Sequence, residues 1–297
     1  MVTGATGPLG AAVADNLLKR TTPSRIAVLA RNAAKATSLA ARGAEVRTGD
    51  YSDHPSLVEA FRGIDQLYFV SGSDIPHRMP QHENIIRAAG DAGVRQVVYT
   101  SFQRKDETAA SPIAFVAESH LRTEQLLKAS GLTYTILQHG IYADMIPIFA
   151  GPRLLETKTI YLPSGEGKTA FAVRTDLAEA GANVLLDTTG RYDNTSLVLT
   201  GPEAVSYDDV ATSISSATGL PIRYYSPSPE EFNTTMTAAG VPAEIIGVVA
   251  GFSTAVKVGE FDKVSDDLER LLGRKPLTTA EFLTAVYQAG APVGLTH

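Results

Sequence analysis

The stretch "TGATGPLG" (residues 3–10) lies almost at the beginning of a chain of 297 residues, with only Met1 and Val2 ahead of it. Its glycines stand at every third position. Glycine lets a backbone turn sharply, approach a phosphate group and pack a helix closely against a strand. A helix that begins beside such a turn offers free N–H groups and the positive end of its dipole to an anion. The stretch therefore predicts a strand of two or three residues, a pyrophosphate-binding turn and a helix from Leu9. The alternative is a plain strand-to-helix turn.

Short apolar runs and amphipathic helical patterns alternate through the first half of the chain. The apolar runs are "RIAVLA" (25–30), "EVRT" (45–48), "QLYFV" (66–70), "QVVYT" (96–100) and "TYTIL" (133–137). The helical patterns occupy residues 9–19, 33–42, 55–62, 81–92 and 117–129. Four of them are followed by a glycine suited to a left-handed helix cap: Gly43, Gly63, Gly93 and Gly131. This alternation predicts an α/β fold, a doubly wound parallel sheet with helices on both faces.

The regular alternation ends after Leu137. Further on, the pattern predicts a helix at 174–187, a strand at 195–201, a helix at 206–218, a strand at 221–226 and mostly helix from Pro229. We expect residues 1–138 to form a cofactor-binding domain, to which 170–205 return. Residues 139–169 and 206–297 are expected to form a smaller, mostly helical substrate-binding region.

Composition narrows the class of protein. A hydrophobic content of 44%, a charged content of 20% and a net charge of -6 are those of a soluble globular protein without an attraction to nucleic acid or anionic lipid. The chain has no cysteine, which excludes disulfides and thiolate chemistry. No apolar run is long enough to cross a membrane. We expect a cytoplasmic protein that binds neither nucleic acid nor membranes directly.

An arginine follows the second predicted strand, in "VLARNAAKA" (28–36). This position usually carries an acidic residue that binds the adenosine ribose when the cofactor is NAD. Arg31 instead suits the 2′-phosphate of NADPH, with Asn32 and Lys35 nearby. The alternative is that Arg31 is a solvated surface charge. The sequence thus favours NADPH over NADH.

Two further strand ends carry polar or small residues. Asp50 follows the third strand and is predicted to accept a hydrogen bond from the adenine amino group, or else to shape a turn. Asp53 is the expected cap of the following helix. Ser71, Gly72 and Ser73 follow the fourth strand, where small residues let the chain run beside a cofactor.

Several stretches together resemble the NmrA-like family of atypical short-chain dehydrogenase/reductases. They are "TGATGPLG", "LARNAAKA", "GDYSD", "PQHENIIRAAGDAGVRQVVYTS", "RTEQLLKASGLTYTIL", "RTDLAEAGANVLL" and "KVSDDLERLLGRKPLT". Within that family, the likeness is greatest to bacterial type-2 NAD(P)H:quinone oxidoreductases and then to triphenylmethane-dye reductases. The resemblance implies a Rossmann-like domain that binds NADPH. It also implies cofactor contacts along residues 4–10, at Arg31 and from His139 to Tyr142. The contacts named in the glycine stretch and the later segment are Gly4, Thr6, Gly7, Pro8, Leu9, Gly10, His139, Gly140 and Tyr142.

The resemblance also directs attention to a missing pair of catalytic residues. The broader superfamily carries Tyr-x-x-x-Lys on the helix before its sixth strand, and these positions align with Val116 and His120 here. Valine cannot donate a proton, which removes carbonyl reduction driven by an ionisable tyrosine. His120 is then the candidate proton donor or orienting group. It could equally be a surface or capping histidine.

Other candidate residues follow from position. Ser101 stands where the superfamily places a hydroxyl that binds the substrate carbonyl, although a strand-end serine often bonds to backbone. Phe102 and Tyr142 are candidates to stack on a flat substrate, or are simple packing residues. No role is predicted for His54, His77, His82 or His297. No metal-binding motif is present.

The predicted function is an NADPH-dependent reductase that transfers hydride to a quinone or a similar flat, electron-poor acceptor. A quinone needs little acid catalysis, so positioning supplies most of the rate. Two alternatives remain open: a non-catalytic NADP(H)-binding redox sensor that acts through a protein partner, and a triarylmethane-dye reductase. The predicted partner is the small-molecule acceptor, and a homodimer is left open.

Overall fold

Ten strands lie among residues 1–288, the part of the chain that the computed structural model describes. The strands are β1 (Ala27–Ala30), β2 (Glu45–Thr48), β3 (Gln66–Phe69), β4 (Gln96–Phe102), β5 (Thr133–His139), β6 (Thr159–Tyr161), β7 (Lys168–Thr169), β8 (Thr195–Leu199), β9 (Val205–Ser206) and β10 (Arg223–Tyr225). His297 and the end of the predicted substrate-binding region lie outside the described residues.

Thirteen α-helices lie in the same part of the chain. They are α1 (Pro8–Arg20), α2 (Thr37–Ala40), α3 (His54–Phe61), α4 (Arg78–Asp91), α5 (Ala114–Ala129), α6 (Ile146–Ala150), α7 (Leu154–Thr157), α8 (Arg174–Leu186), α9 (Tyr207–Thr218), α10 (Pro229–Ala238), α11 (Ala243–Lys257), α12 (Asp267–Leu272) and α13 (Thr279–Gln288). No helix within residues 1–288 combines the length and the apolar character that crossing a membrane requires.

The N-terminal residues form the centre of a parallel sheet, although they make only isolated pairings. Val2 pairs in parallel with Val28 of β1 on one side and with Tyr68 of β3 on the other. The Val2 N–H donates to the Ala27 carbonyl at 2.9 Å, and the Thr3 N–H donates to the Tyr68 carbonyl at 3.0 Å. A strand of three residues therefore joins two halves of the sheet.

The complete strand order is β2, β1, residues 1–3, β3, β4, β5 and β8, all parallel. The chain order reverses at residues 1–3, which is where ligands bind in open α/β sheets. β8 pairs with β5 from Thr195 to Leu199. The structure is the doubly wound α/β fold that the sequence predicts.

Helices cover both faces of the sheet. On one face α1, α8 and α12 bury residues such as Val13, Leu177 and Leu268 against Val28 and Tyr68. On the other face α3, α4 and α5 bury residues such as Leu57, Ile85 and Leu127 against alternate strand residues. Because successive strand side chains point to opposite faces, β4 contributes Val98 to the first core and Val97 and Tyr99 to the second.

A third core belongs to the segments outside the main sheet. β6 pairs in parallel with β10, and β7 pairs antiparallel with β9. Side chains including Ile146, Ile160, Phe171, Ile214 and Phe261 pack together there. This core lies beyond the carboxyl ends of β4 and β5, since it includes Phe102 and Ile141.

The predicted helices differ from the observed ones at three starts. Residues 33–42 form a 3-10 turn (Ala33–Ala36) and then the short α2, because the Asn32 side chain accepts a hydrogen bond from Ala34 N–H and tightens the turn. α4 and α5 begin three residues earlier than predicted. Their first turns contain a buried arginine, Arg78, and an exposed phenylalanine, Phe115. The pattern of buried apolar residues therefore does not extend into these turns, and it predicts a later start for both helices. The four predicted glycine caps are confirmed by positive φ angles.

Candidate active site

The glycine turn has a geometry that only glycine permits at two positions. Gly4 has a φ of +60°, and its carbonyl accepts a hydrogen bond from Gly7 N–H at 2.9 Å. A Cβ on Gly10 would lie 2.4 Å from the Gly4 oxygen. The turn and the first turn of α1 are therefore in direct backbone contact, which keeps the helix end close to the sheet edge.

The N-terminus of α1 is free to bind an anion. Gly7 is the N-cap and offers no side chain, and Pro8 follows it at the first helical position. Within residues 1–288, no acceptor takes the N–H groups of Leu9 and Gly10, and no acidic residue lies in the first turn. Thr6, at the end of the turn, is exposed. Free N–H groups and the helix dipole make this end suitable for a phosphate.

Two unpaired cations stand beside this helix end. Arg31 follows β1 and is exposed, and neither its guanidinium nor the Lys35 ammonium forms an ion pair within the described part of the chain. Lys35 and Thr6 line a groove of about 410 Å³ between α1 and α2. Asn32 instead caps the 3-10 turn. The positions of Arg31 and Lys35 suit a phosphate bound at the edge of the glycine turn.

The side chain of Asp50 shapes its own turn, as the alternative interpretation held. Its Oδ1 accepts a hydrogen bond from Ser52 N–H at 2.8 Å. Asp53 caps α3, which confirms that prediction. The next residue, Tyr51, was not predicted: its hydroxyl lies 2.6 Å from Thr3 Oγ1 and 3.0 Å from the Val70 carbonyl. It ties the glycine turn to the loop after β3.

That loop, residues 70–74, is held at consecutive peptide groups. Ser71 N–H donates to Thr100 Oγ1 at 2.9 Å, and Gly72 N–H donates to His82 Nε2 at 3.0 Å. The Gly72 carbonyl accepts from Arg78 Nε at 2.7 Å. Ser73 is exposed. The segment predicted to run beside the cofactor is thus fixed from behind by two side chains of α4.

His82 has partners that the sequence did not reveal. It is fully buried, its Nδ1 lies 2.8 Å from Thr123 Oγ1, and its ring packs edge-on against Phe69 and Tyr99. Burial, and then the charge of Arg78, lower its pKa to about 3. His82 therefore stays neutral and accepts from Gly72.

The other two described histidines without a predicted role contact surface carboxylates, His54 near Asp91 and His77 near Asp74.

Arg78 is a second residue that the sequence analysis missed. Its side chain is buried, and Nη1 lies 3.2 Å from both Ser119 Oγ and His120 Nε2. The spacing of Arg78, His82, Ile85 and Ala89 along α4 follows one helix face, and all four are buried. In the sequence, Arg78 and His82 are spaced along the same helix face as apolar residues, and this spacing could have predicted that their side chains are buried.

His120 lies inside this network rather than on the surface. Arginine can only donate, so His120 Nε2 accepts from Arg78 and the ring proton resides on Nδ1. Nδ1 donates to the Tyr99 hydroxyl at 2.8 Å. Burial, followed by Arg78 and other nearby cationic groups, lowers the His120 pKa well below 6.5. Both nitrogens are engaged and the ring is neutral. Val116, one turn earlier on α5, is also buried.

Ser101 belongs to a separate buried cluster. Its hydroxyl donates to Glu124 Oε1, which also accepts from Arg104 Nη1 at 2.8 Å and Gln138 Nε2 at 3.2 Å. Burial opposes ionisation of Glu124, yet the hydrogen bonds from Arg104 and Ser101 hold its pKa below the ordinary value. The Ser101 proton is therefore directed to a carboxylate and not to an open space.

The end of β5 carries a polar atom that needs a partner. His139 Nδ1 lies 3.1 Å from the Tyr142 hydroxyl, whereas its buried Nε2 has no hydrogen-bond partner among the described residues. Burial lowers the His139 pKa to about 3 and raises the Tyr142 pKa to about 12. At Gly140 a Cβ would lie 3.0 Å from Gln103 Oε1 and 3.2 Å from the Ala170 carbonyl. Buried, unpaired polar atoms of this kind usually bind a ligand or water.

An aromatic cluster continues from His120 towards α11. The Phe102 ring centroid lies 5.9 Å from that of His120, 6.4 Å from Phe252 and 5.8 Å from Phe261. Phe252 belongs to α11 and also contacts Phe115. Phe102 thus connects the polar network with the aromatic side chains of the third core. Tyr142 lies apart, under the Arg174 guanidinium.

These residues fit a dinucleotide laid along the carboxyl ends of the strands. The free N–H groups of α1, the unpaired Arg31 and the unsatisfied His139 Nε2 suit its phosphates and its amide-bearing ring. No group of three His, Asp or Glu side chains in residues 1–288 is arranged to hold a metal ion.

Comparison with known proteins agrees with this geometry. Quinone oxidoreductase 2 of Escherichia coli K12 is 33% identical over 286 residues, 96% of this chain and 98% of that protein. Its crystal structure with NADPH has a TM-score of 0.88, covering 96% of this chain and 98% of that one. The Citrobacter sp. triphenylmethane reductase complexed with NADP(H) is 34% identical with a TM-score of 0.87, covering 96% and 98%. The pattern of the NmrA-like family matches residues 1–283, and the chain belongs to that family.

Proposed function

We propose that the chain is an NADPH-dependent reductase that transfers hydride to a quinone or a similar flat, electron-poor acceptor. Its relatives include a quinone oxidoreductase and an NAD(P)H azoreductase of Xenophilus azovorans, which is 28% identical over 96% of each protein. The observation that carries the choice of acceptor is the state of His120. It is neutral, buried and hydrogen-bonded through both nitrogens. The family resemblance aligns Val116 with the tyrosine of the Tyr-x-x-x-Lys pair, and this alignment supports the proposal.

Such a site favours acceptors that need little proton transfer. Hydride addition to a quinone leaves a hydroquinone anion whose charge is delocalised, and water can protonate it afterwards. A ketone would form a localised alkoxide and would need an acid beside it. We therefore assign His120 as an orienting group that joins Arg78 to Tyr99.

NADPH, when bound, supplies the hydride and both electrons. The chain's own residues hold it: the α1 N-terminus for the pyrophosphate, Arg31 for the 2′-phosphate and His139 Nε2 for the nicotinamide amide. Residues 70–73 run beside it, held by His82 and Arg78. Phe102 lies across from Phe252 of α11 and forms one wall for a flat acceptor. Residues 139–169 and 206–288 cover that acceptor and exclude water.

The test is a steady-state assay of NADPH and NADH against a panel of quinones, azo dyes and triarylmethane dyes. We expect quinone reduction with a preference for NADPH. Reduction of dyes but of no quinone would transfer the assignment to the dye-reductase alternative. Tight NADPH binding without turnover of any acceptor would favour the redox-sensor alternative.

A further inference from the structure

Arg78 carries a buried charge without a counter-ion. Its residue exposure is 6%, yet no Asp or Glu oxygen of residues 1–288 lies within ion-pair distance of its guanidinium. Arg104 offers a comparison: its side chain is 1% exposed, but it pairs with Glu124 and Glu107. Asp74, the acidic residue nearest along the chain, is exposed and contacts His77.

Every group that Arg78 contacts is neutral. Nε donates to the Gly72 carbonyl, and Nη1 lies near the Ser119 hydroxyl and His120 Nε2. Burial keeps His120 and the adjacent His82 unprotonated, since it lowers the pKa of both rings. The positive charge is therefore oriented by three hydrogen bonds to neutral groups, and Asp74 attracts it only from beyond ion-pair distance.

The guanidinium still has free hydrogen-bonding capacity. Nη2 makes no hydrogen bond within the described residues, and it is not completely enclosed by protein. A ligand atom can therefore reach it. A buried cation is costly unless an anion pairs with it. Since the protein provides no carboxylate there, the ligand is the remaining source of negative charge.

The position of Arg78 indicates which charge this is. It lies between Gly72, in the proposed cofactor loop, and His120, whose ring neighbours Phe102. We propose that Arg78 is a catalytic residue whose Nη2 binds the acceptor's carbonyl oxygen and stabilises the negative charge that hydride transfer creates there. This inference rests on the proposed function and assigns an electrophilic role to a residue outside the glycine turn.

The step balances without a further reagent. The hydride and its electron pair pass from NADPH to one quinone oxygen, where the new O–H bond forms. The π electrons of the ring shift so that the negative charge comes to lie on the opposite carbonyl oxygen, beside Arg78. The products are NADP+ and the hydroquinone monoanion, which takes a proton from water on release. A donor already oriented towards such an oxygen gives typical rate factors of about 10²–10³.

The test compares Arg78→Gln and Arg78→Lys with the matched control Arg87→Gln, an exposed arginine on the same helix. Quinones whose hydroquinones differ in acidity are reduced under saturating NADPH. We expect Arg78→Gln to lower kcat about 10²–10³-fold, most for the least acidic hydroquinone. Arg78→Lys should retain part of the rate, free guanidinium should restore part of the Arg78→Gln rate, and the control should match wild type.

A binding measurement separates this inference from the proposed function, because it needs no turnover. In the NADP+-loaded protein, bound para-nitrophenol should show a lowered pKa by its absorbance, and Arg78→Gln should abolish that shift. The inference is overturned if the rate loss is equal for all quinones and the para-nitrophenol shift persists. A loss confined to NADPH affinity also overturns it, since Arg78 would then serve the cofactor phosphates or the Gly72 loop.

Discussion

The backbone N–H of Gly72 donates to Nε2 of His82 at 3.0 Å, and this bond joins the loop after β3 to the interior of α4. Gly72 has no side chain with which to fix its own position, and a Cβ there would lie 3.0 Å from Gln81 Oε1. The loop is therefore shaped by α4. The cofactor-side surface of the site depends on a buried histidine that touches no proposed ligand.

Replacing His82 with phenylalanine should weaken NADPH binding as well as stability. The aromatic packing against Phe69 and Tyr99 would be retained, but Gly72 N–H would lose its acceptor, at a cost of about 1–3 kcal/mol. We expect a lower urea midpoint and a higher NADPH dissociation constant, with the control His77→Phe unchanged because His77 is on the surface. A stability loss with unaltered NADPH affinity would show that His82 only supports the fold.

Replacing Arg31 with glutamate should reverse the cofactor preference. A charge-assisted hydrogen bond to the 2′-phosphate is worth about 1.5–3 kcal/mol, so the NADPH dissociation constant should rise at least ~10-fold. NADH binding should change little. Arg122→Glu introduces the same charge on the exposed face of α5 and serves as the control. If NADPH preference survives in Arg31→Glu, Arg31 is a solvated surface charge.

Three buried histidines should make the protein less stable as the solution becomes mildly acidic. The folded pKa values of His82 and His139 are about 3 and that of His120 is also far below 6.5. Below pH 6.5 the unfolded chain binds protons that the folded chain does not. The free energy of unfolding should therefore fall with decreasing pH, by up to about 1.4 kcal/mol per pH unit for each histidine.

Urea unfolding between pH 7 and about 5 measures this slope, before the carboxylates titrate appreciably. His82→Phe should reduce the slope by one histidine's share. A slope that is the same in His82→Phe and wild type would contradict the neutral, buried state of His82.

Alanine at two glycines should have opposite effects. Gly10→Ala places a Cβ 2.4 Å from the Gly4 oxygen, so the turn must shift and stability should fall by about 1–3 kcal/mol. NADPH binding should be lost with it. Gly90 lies within α4, and a Cβ there meets nothing within 4 Å. Gly90→Ala should be neutral or stabilise by up to about 1 kcal/mol. Calorimetry measures the stability of both variants, and titration with NADPH measures their cofactor affinity. Equal effects of the two substitutions would contradict the prediction.

Ser101→Ala should affect stability more than catalysis. The hydroxyl donates to Glu124, so its removal should cost about 0.5–1.5 kcal/mol and leave kcat close to wild type. Glu124→Gln should be more disruptive, at up to about 3–5 kcal/mol, because the buried Arg104 would keep only the exposed Glu107 as a counter-ion. A ~10²-fold loss of kcat in Ser101→Ala would instead place its hydroxyl on the acceptor carbonyl.

Local signals were sufficient to predict the main sheet and the glycine turn before α1. The glycine spacing of residues 3–10, the alternation of apolar runs with helical patterns and the glycine caps all depend on neighbouring residues. The short first strand was also predictable, but its place between β1 and β3 appears only in the hydrogen bonds of Val2. The Asp50 turn and the Asp53 cap are equally local and are seen in the structure, while the adenine contact of Asp50 stays a prediction.

The interior of the site could not be predicted in this way. The bonds from Gly72 to His82, from Arg78 to His120 and from Ser101 to Glu124 join residues 10, 42 and 23 positions apart. Whether a histidine is a proton donor or a neutral linker depends on burial and on what occupies its two nitrogens. Sequence by itself determined the parallel strands of the main sheet and the glycine turn before α1, but not the short strands β6, β7 and β9. Only the tertiary structure, which brings α4 and α5 together behind β4, decided that His120 is neutral and that Arg78 is buried without an ion pair.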